Sequence, residues 1–226
     1  MPAFAFEMPL WLVLSISAVV CYLLGCFNGA VIVSKYILRD DVRNHGSGNA
    51  GLTNFYRTFG GPLTGVVILT DVLKAVAAVL ISRWLMLHGF TIFISAASTT
   101  AFYDTVAKYW AGVFCLLGHM FPVMFKFKGG KGILSGGTIA LMMDWRVALV
   151  VWGGFLILAI ATKYVSLGSC WAGLSFPFVS WFVYHSLLIL ALAIICGGLI
   201  LWQHRGNINR LIHGTESKFH FHKKAK

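Results

Sequence analysis

The chain has 226 residues, of which 58% are hydrophobic and 11% charged, with a mean hydropathy of +0.81. A soluble domain carries about 25% charged residues, so the composition excludes one and points to an all-α polytopic membrane protein. The net charge of +11 would suit a nucleic-acid binder, but the positive residues sit at the edges of apolar segments, where topology rules already expect them.

The first apolar segment, roughly 9–33, has no basic stretch before it and no small-residue cleavage site. It reads as a retained span rather than a removed signal peptide. Next comes Gly46-Ser47-Gly48-Asn49-Ala50-Gly51-Leu52-Thr53-Asn54, with Arg57 close behind. Glycine lets backbone N–H groups approach an anion, Ser and Asn add neutral donors, and Arg neutralises charge. A glycine-rich turn with an Asn/Thr helix cap is the structural alternative. Arg57 tilts the reading toward function: on a helix it shares a face with Thr53 and Asn54.

The second segment, 60–82, contains Asp71 and Lys74 one turn apart. Ionisable groups inside a span are mutually paired or functional. The third, 89–117, ends near His119, an interfacial residue of the kind that finishes a helix. Then comes Phe127-Lys128-Gly129-Gly130-Lys131-Gly132. It is not a nucleotide P-loop, because glycine follows Lys131 where that motif needs Ser or Thr. What remains is an anion nest leading into a helix N-terminus.

Four further segments follow, roughly 132–143, 147–162, 164–184 and 186–203. The first of these would reach only about 18 Å as a helix against a core of about 30 Å. Charge parity keeps it: omitting it would put the basic tail on the wrong side. The last stretch, His204-Arg205-Gly206-Asn207-Ile208-Asn209-Arg210-Leu211, opens a basic tail over 203–226. A basic stop would explain Arg205 and Arg210, but not Asn207 and Asn209. His220 and His222 are expected to be tail residues without a site. Five cysteines form no C-x-x-C pair and read as buried hydrophobes rather than a disulfide or metal framework.

Seven spans with the N-terminus outside put Lys35, Arg39, Arg43, Arg57, Lys126, Lys128, Lys131, Lys163 and the tail on the inner face, against Arg83 and Arg146 outside. All three polar stretches then share the cytoplasmic side.

Taken together, these motifs resemble the acyl-phosphate:glycerol-3-phosphate acyltransferase family of bacterial membranes (PlsY). The resemblance runs through nearly the whole chain. It covers the first polar stretch to Arg57, Asp71-x-x-Lys74, Gly118-His119-x-Phe121-Pro122 and the lysine–glycine loop. It continues with Tyr164-Val165-Ser166-Leu167-Gly168-Ser169, and with His204-Arg205-x-Asn207-Ile208-x-Arg210-Leu211-x-x-Gly214-Thr215-Glu216. Ala75 stands where the family usually has glycine, and Ile133-Leu134-Ser135 where it has Val-Ala-Thr.

The resemblance implies transfer of a fatty acyl group from acyl phosphate to the 1-hydroxyl of glycerol 3-phosphate, giving lysophosphatidic acid and phosphate, as the first step of phospholipid synthesis. It implies Ser47, Arg57, Lys131, His204 and Asn207 as catalytic residues, with Asn49, Asn54, Gly129, Gly130 and Ser169 also binding phosphate. Asp71, Lys74, His119, Arg205 and Glu216 are implied as structural or secondary. No metal and no cofactor is implied. The partners are the two substrates, the bilayer and a peripheral enzyme producing the acyl phosphate, with no nucleic acid; the location is the bacterial inner membrane. No His is followed five residues later by Asp, which argues against the acyl-CoA-using glycerolipid acyltransferases. A transporter of a phosphorylated metabolite is the rival reading, since glycine-broken helices and a buried Asp71–Lys74 would suit it.

Overall fold

Helices dominate because the apolar runs have nowhere else to satisfy their backbone groups in lipid. The computed structural model describes residues 8–89 and 97–219, and among these no strand occurs. The first predicted span is broken. Helix α1 (Leu10–Gly25) stops at a short turn, and α2 (Gly29–Ile32) continues into a π-helical stretch to Ile37. Asn28 makes the restart, its side chain accepting from Val31 N–H at 3.0 Å and donating to the Ala50 carbonyl at 3.0 Å.

Helix α3 (Leu52–Thr58) carries Asn54 and Arg57. Helix α4 (Leu63–His88) outruns the expected end at 82, and α5 (Ala97–Met120) extends past 117 to include His119. The short predicted segment is α6 (Ile133–Met143). It is followed by α7 (Trp145–Thr162), α8 (Val165–Tyr184), α9 (Leu187–Gln203) and α10 (Arg205–Ile212). Four of these helical stretches are long and apolar enough to cross a membrane, or five if the bent α9–α10 pair is counted as one span. Ile157, Ile160, Phe178, Phe182 and Leu187 are each more than 60% exposed. Side chains of that kind on a bundle surface are solvated by lipid, not by water.

Helix α5 is the hub, packing on α1, α4, α6 and α9 with Ala107, Tyr109, Ala111 and Cys115 fully buried. Side-chain hydrogen bonds cross between helices. Ser17 bonds to Ser82, which donates to the Ala107 carbonyl. The Tyr109 hydroxyl reaches Ser180, and the Trp152 indole reaches the Gly137 carbonyl. Such bonds add specificity where lipid offers no hydrophobic drive between helices. Small residues bring the backbones together: a β-carbon on Gly118 would lie 2.1 Å from the Tyr22 carbonyl oxygen.

The turns are tight enough to keep α6–α9 antiparallel neighbours. Asp144 alone separates α6 from α7 and caps the latter, accepting from Arg146 N–H at 2.8 Å. The predicted tail is structured as far as described: α10 bends back, and Thr215 to Phe219 returns to the bundle, where the Phe219 N–H donates to the Lys163 carbonyl. His220, His222 and the last lysines lie outside the described residues.

Adjacent glycines on α9 test the crossing with α8. A β-carbon at Gly197 would sit 2.3 Å from the Gly173 carbonyl oxygen, whereas one at Gly198 meets nothing within 4 Å. Gly197→Ala is expected to cost about 1–3 kcal/mol of overpacking. Gly198→Ala should be neutral or stabilising, since alanine favours a helix by about 1 kcal/mol over glycine. Thermal unfolding in detergent reads the pair, and equal midpoints would contradict the crossing.

Candidate active site

One end of the bundle opens into a polar cavity of about 1300 Å³. Its walls come from α3 and the loop before it, the start of α6, the start of α8, and the α9–α10 corner. The three polar stretches, separated by tens of residues, meet there. Ser47, Asn49, Asn54, Arg57, Lys131, Ser169, His204, Asn207 and Glu216 all line it, with Asp71 and His119 among the lining residues as well.

The first loop is organised by Asn54. Its Oδ1 accepts from the Ser47 N–H at 3.0 Å, and its Nδ2 reaches the Val42, His45 and Asn49 carbonyls at 3.0–3.1 Å. Its amide is therefore occupied in shaping the loop. Gly46 has φ +56°, and a β-carbon there would strike Asn54 Oδ1. Arg43 ties this loop to the next: it pairs with Asp41 at 2.7 Å and donates to the Phe125 and Lys128 carbonyls. Its charge registers in sequence only as a topology signal, and the long-range contacts of Arg43 were not predicted.

In the lysine–glycine loop, the expected nest is displaced by a few residues. The Gly129 and Gly130 N–H groups donate to the Met120 and His119 carbonyls at 3.1 Å, and neither glycine lines the cavity. They allow the loop to lie against the end of α5: a β-carbon on Gly129 would be 2.0 Å from the His119 carbonyl oxygen. The lining residues are Lys131, Gly132, Ile133 and Leu134. The last two belong to the first turn of α6, where N–H groups have no intrahelical acceptor and the dipole favours an anion.

The third stretch holds the densest network. Lys131 Nζ donates to Asn207 Oδ1, and Asn207 Nδ2 donates to Glu216 Oε1 at 2.7 Å. Ser166 and Arg210 also donate to Glu216, at 2.9 and 2.7 Å. Burial alone would raise the Glu216 pKa, but the bonds from Asn207, Arg210 and Ser166 hold the carboxyl below its ordinary range. Ser166 and Arg210 sit within the sequence motifs, yet only their convergence on Glu216 gives them a part in the site. Arg205 points elsewhere: its guanidinium lies 4.8 Å over the Trp202 ring and donates to the Trp202 carbonyl.

His204 is 3% exposed, and its Nδ1 lies 2.8 Å from the Ile200 carbonyl oxygen. A carbonyl only accepts, so Nδ1 carries the proton and Nε2 keeps its lone pair. Burial pushes the imidazole down to about 4, which keeps it neutral near pH 7 and makes it a weak base. Ser169 donates to the Val165 carbonyl at 2.9 Å.

Arg57 and Lys131 form no ion pair among the described residues. Arg57 donates to the Ser217 carbonyl at 3.2 Å, and Lys131 has the neutral Asn207. Burial pushes Lys131 down to about 8, with repulsion from Arg210 and Arg57 adding to the shift and Glu216 opposing it. Two cations that face a cavity with neutral partners are arranged to receive an anion from outside the chain.

A family model described as glycerol-3-phosphate acyltransferase matches residues 15–214. The chain belongs to that family. Among similar proteins, the glycerol-3-phosphate acyltransferase of Thermoanaerobacter pseudethanolicus is 37% identical over 203 residues, covering 90% of this chain and 94% of the relative. That of Bacillus subtilis is 32% identical over 207 residues, covering 92% and 98%. The crystal structure of PlsY (YgiH), an integral membrane glycerol 3-phosphate acyltransferase, in its glycerol 3-phosphate form, matches with a TM-score of 0.77. The identity is 32%, and the match covers 92% of this chain and 96% of that one. Its lysophosphatidic acid form gives 0.74 at 31% identity. The protein is thus an integral membrane glycerol-3-phosphate acyltransferase of phospholipid synthesis, and the transporter reading loses its ground.

The charge state of Lys131 gives this acyltransferase a pH signature. The folded pKa lies below the usual lysine value, so the cation is present below about pH 8 and is lost as pH rises through it. Affinity for inorganic phosphate, measured by calorimetry, should weaken above that point. Lys131→Arg, which stays charged, should remove the inflection. A flat profile from pH 7 to 10 in the parent protein, well past about pH 8, would show that Lys131 does not meet the anion.

Proposed function

We propose that the chain transfers a fatty acyl group from acyl phosphate to the 1-hydroxyl of glycerol 3-phosphate, releasing lysophosphatidic acid and phosphate. The observation that carries this reading is that Arg57 and Lys131 have only neutral partners, the Ser217 carbonyl and the Asn207 amide, around one cavity. Both substrates are phosphorylated anions, and such a cavity suits them. An acyl phosphate is already an activated mixed anhydride, so the protein chiefly has to align two anions and stabilise developing charge.

The transfer is direct. The glycerol 1-hydroxyl oxygen bonds to the acyl carbon, the bond from that carbon to the phosphate oxygen breaks, and phosphate leaves with the electron pair. The hydroxyl proton goes to a substrate phosphate oxygen. His204, neutral and with Nε2 as acceptor, orients the hydroxyl rather than serving as an obligatory base. Ser47, Asn49 and Asn207 hold phosphate oxygens beside Arg57 and Lys131, and Ser169 joins them by turning its hydroxyl from the Val165 carbonyl to the phosphate. Asn54, Gly129 and Gly130 contribute by shaping the two loops that present these groups.

The reading extends to topology. The chain forms one membrane domain of seven spans, N-terminus outside, in the bacterial inner membrane, with the cavity open to the cytoplasm and the tail from 203 on that side. The basic bias of the inner loops supports it. A peripheral enzyme making acyl phosphate would then reach the cavity mouth from the cytoplasm.

Purified protein with palmitoyl phosphate and glycerol 3-phosphate tests the reaction. Phosphate release should require both, and palmitoyl-CoA should not replace the acyl phosphate; comparable turnover with the CoA thioester would refute the donor assignment. Arg57→Ala and Lys131→Ala should each lose at least about tenfold, or about 1.4 kcal/mol of transition-state stabilisation. Arg205→Ala, whose side chain faces away, should stay near the parent rate.

A further inference from the structure

Behind the cavity wall lies a buried cluster that the reaction as derived above leaves unused. Lys74, on α4, is 5% exposed, and its ammonium has three hydrogens. It hydrogen-bonds to the Phe27 carbonyl at 3.0 Å and to His119 Nδ1 at 2.7 Å, and it forms an ion pair with Asp71 Oδ1 at 2.7 Å. An ammonium has no lone pair, so His119 Nδ1 must be the acceptor in that contact. The proton of the neutral imidazole therefore sits on Nε2.

That Nε2–H has no hydrogen-bond partner among the described residues, although His119 is only 2% exposed. It is not sealed away, because Ser175 Oγ is the one fully enclosed side-chain polar atom left without a partner there. His119 lines the polar cavity, next to Lys131 and Gly132. Gly130 lies against the ring, and only glycine fits there: a β-carbon at that position would lie 2.3 Å from Nε2. A buried N–H at the wall of a site with no acceptor is destabilising unless something bonds to it.

We propose that His119 is a substrate-contacting residue, presenting its Nε2–H to an oxygen of a phosphorylated substrate, with Lys74 and Asp71 as the positioning pair that fixes the tautomer. The proposal rests on the acyl-transfer reading and adds to it a donor opposite in kind to His204, whose free nitrogen accepts. The acceptor is an oxygen of glycerol 3-phosphate or of the acyl donor. Of the histidines that line the cavity, His119 thus donates to substrate while His204 accepts.

The test uses the full chain in detergent, after turnover of the unaltered protein has been measured, so that loss of the enzyme reading would be seen separately. His119→Gln keeps an N–H near the place of Nε2; His119→Met keeps an apolar chain of similar length without one. With equal unfolding midpoints, the Gln variant should stay within about threefold of the parent kcat/KM and the Met variant should fall at least about tenfold. A structural role alone would not move the proton resonance of Nε2–H, assigned by its loss in both variants. It should shift on adding glycerol 3-phosphate or a non-hydrolysable acyl phosphonate, and the ligand that moves it identifies the oxygen. Equal activity of the Gln and Met variants, or a resonance unmoved by either ligand, overturns the proposal.

Discussion

Positive charge without a carboxylate partner, held at the edge of a membrane protein, is the constraint around which the site is built. Lys131 is buried enough to bring its pKa to about 8, and Arg57 and Arg210 repel it further. A direct ion pair would relieve this but would also occupy an ammonium that faces the cavity. Asn207 stands between Lys131 and Glu216 instead, so that the carboxylate acts through an amide. The lysine keeps a neutral partner, the local field keeps some negative charge, and the ammonium remains open to the cavity. Arg210 and Ser166 complete the satisfaction of Glu216, because a buried carboxylate with fewer donors would itself tend to take up a proton.

Holding that arrangement requires chain segments far apart in sequence to keep fixed distances. The bundle supplies this through close backbone contact at glycine rather than through long side chains. Gly25 with Gly118 and Gly173 with Gly197 bring α1 to α5 and α8 to α9. Interior packing at that closeness leaves little freedom to slide, so the ends of α6, α8 and α9 stay in register at the cavity. The loops use the same device. Gly129 and Gly130 lie against the end of α5 with their amides donating to its last carbonyls, and Arg43 fastens that loop to the one bearing Ser47.

The chemistry that follows is electrostatic and positional. Cations, amides and the α6 N-terminus face the cavity, while His119 and His204 are fixed in opposite tautomers by different neighbours, a backbone carbonyl for His204 and an ammonium for His119. Residues of one type thus acquire different capacities from what lies behind them. Asp71 and Lys74, costly as separate charges inside a span, compensate each other and leave a directed N–H as their net product at the cavity wall.

Much of this was legible in the residues alone. Apolar run length fixed the helical membrane class because lipid leaves the backbone no other option, and the mixture of glycine, amide and cation marked the three polar stretches. Ser47, Arg57, Lys131, Ser169, His204 and Asn207 all reach the cavity. Spacing could not reveal which amides are free, because that depends on which carbonyl lies opposite. Gly129 and Gly130 looked like a nest, yet their N–H groups are taken by α5, and the open amides begin at the next helix. Nor could sequence find Arg43 or Ser166 as partners, since their contacts span 85 and 50 residues, and the Arg210–Glu216 pair forms only because the chain turns back after α10. Local composition states what a segment can bind; only packing decides which of its donors are already used, because each hydrogen bond made inside the protein removes one from the cavity.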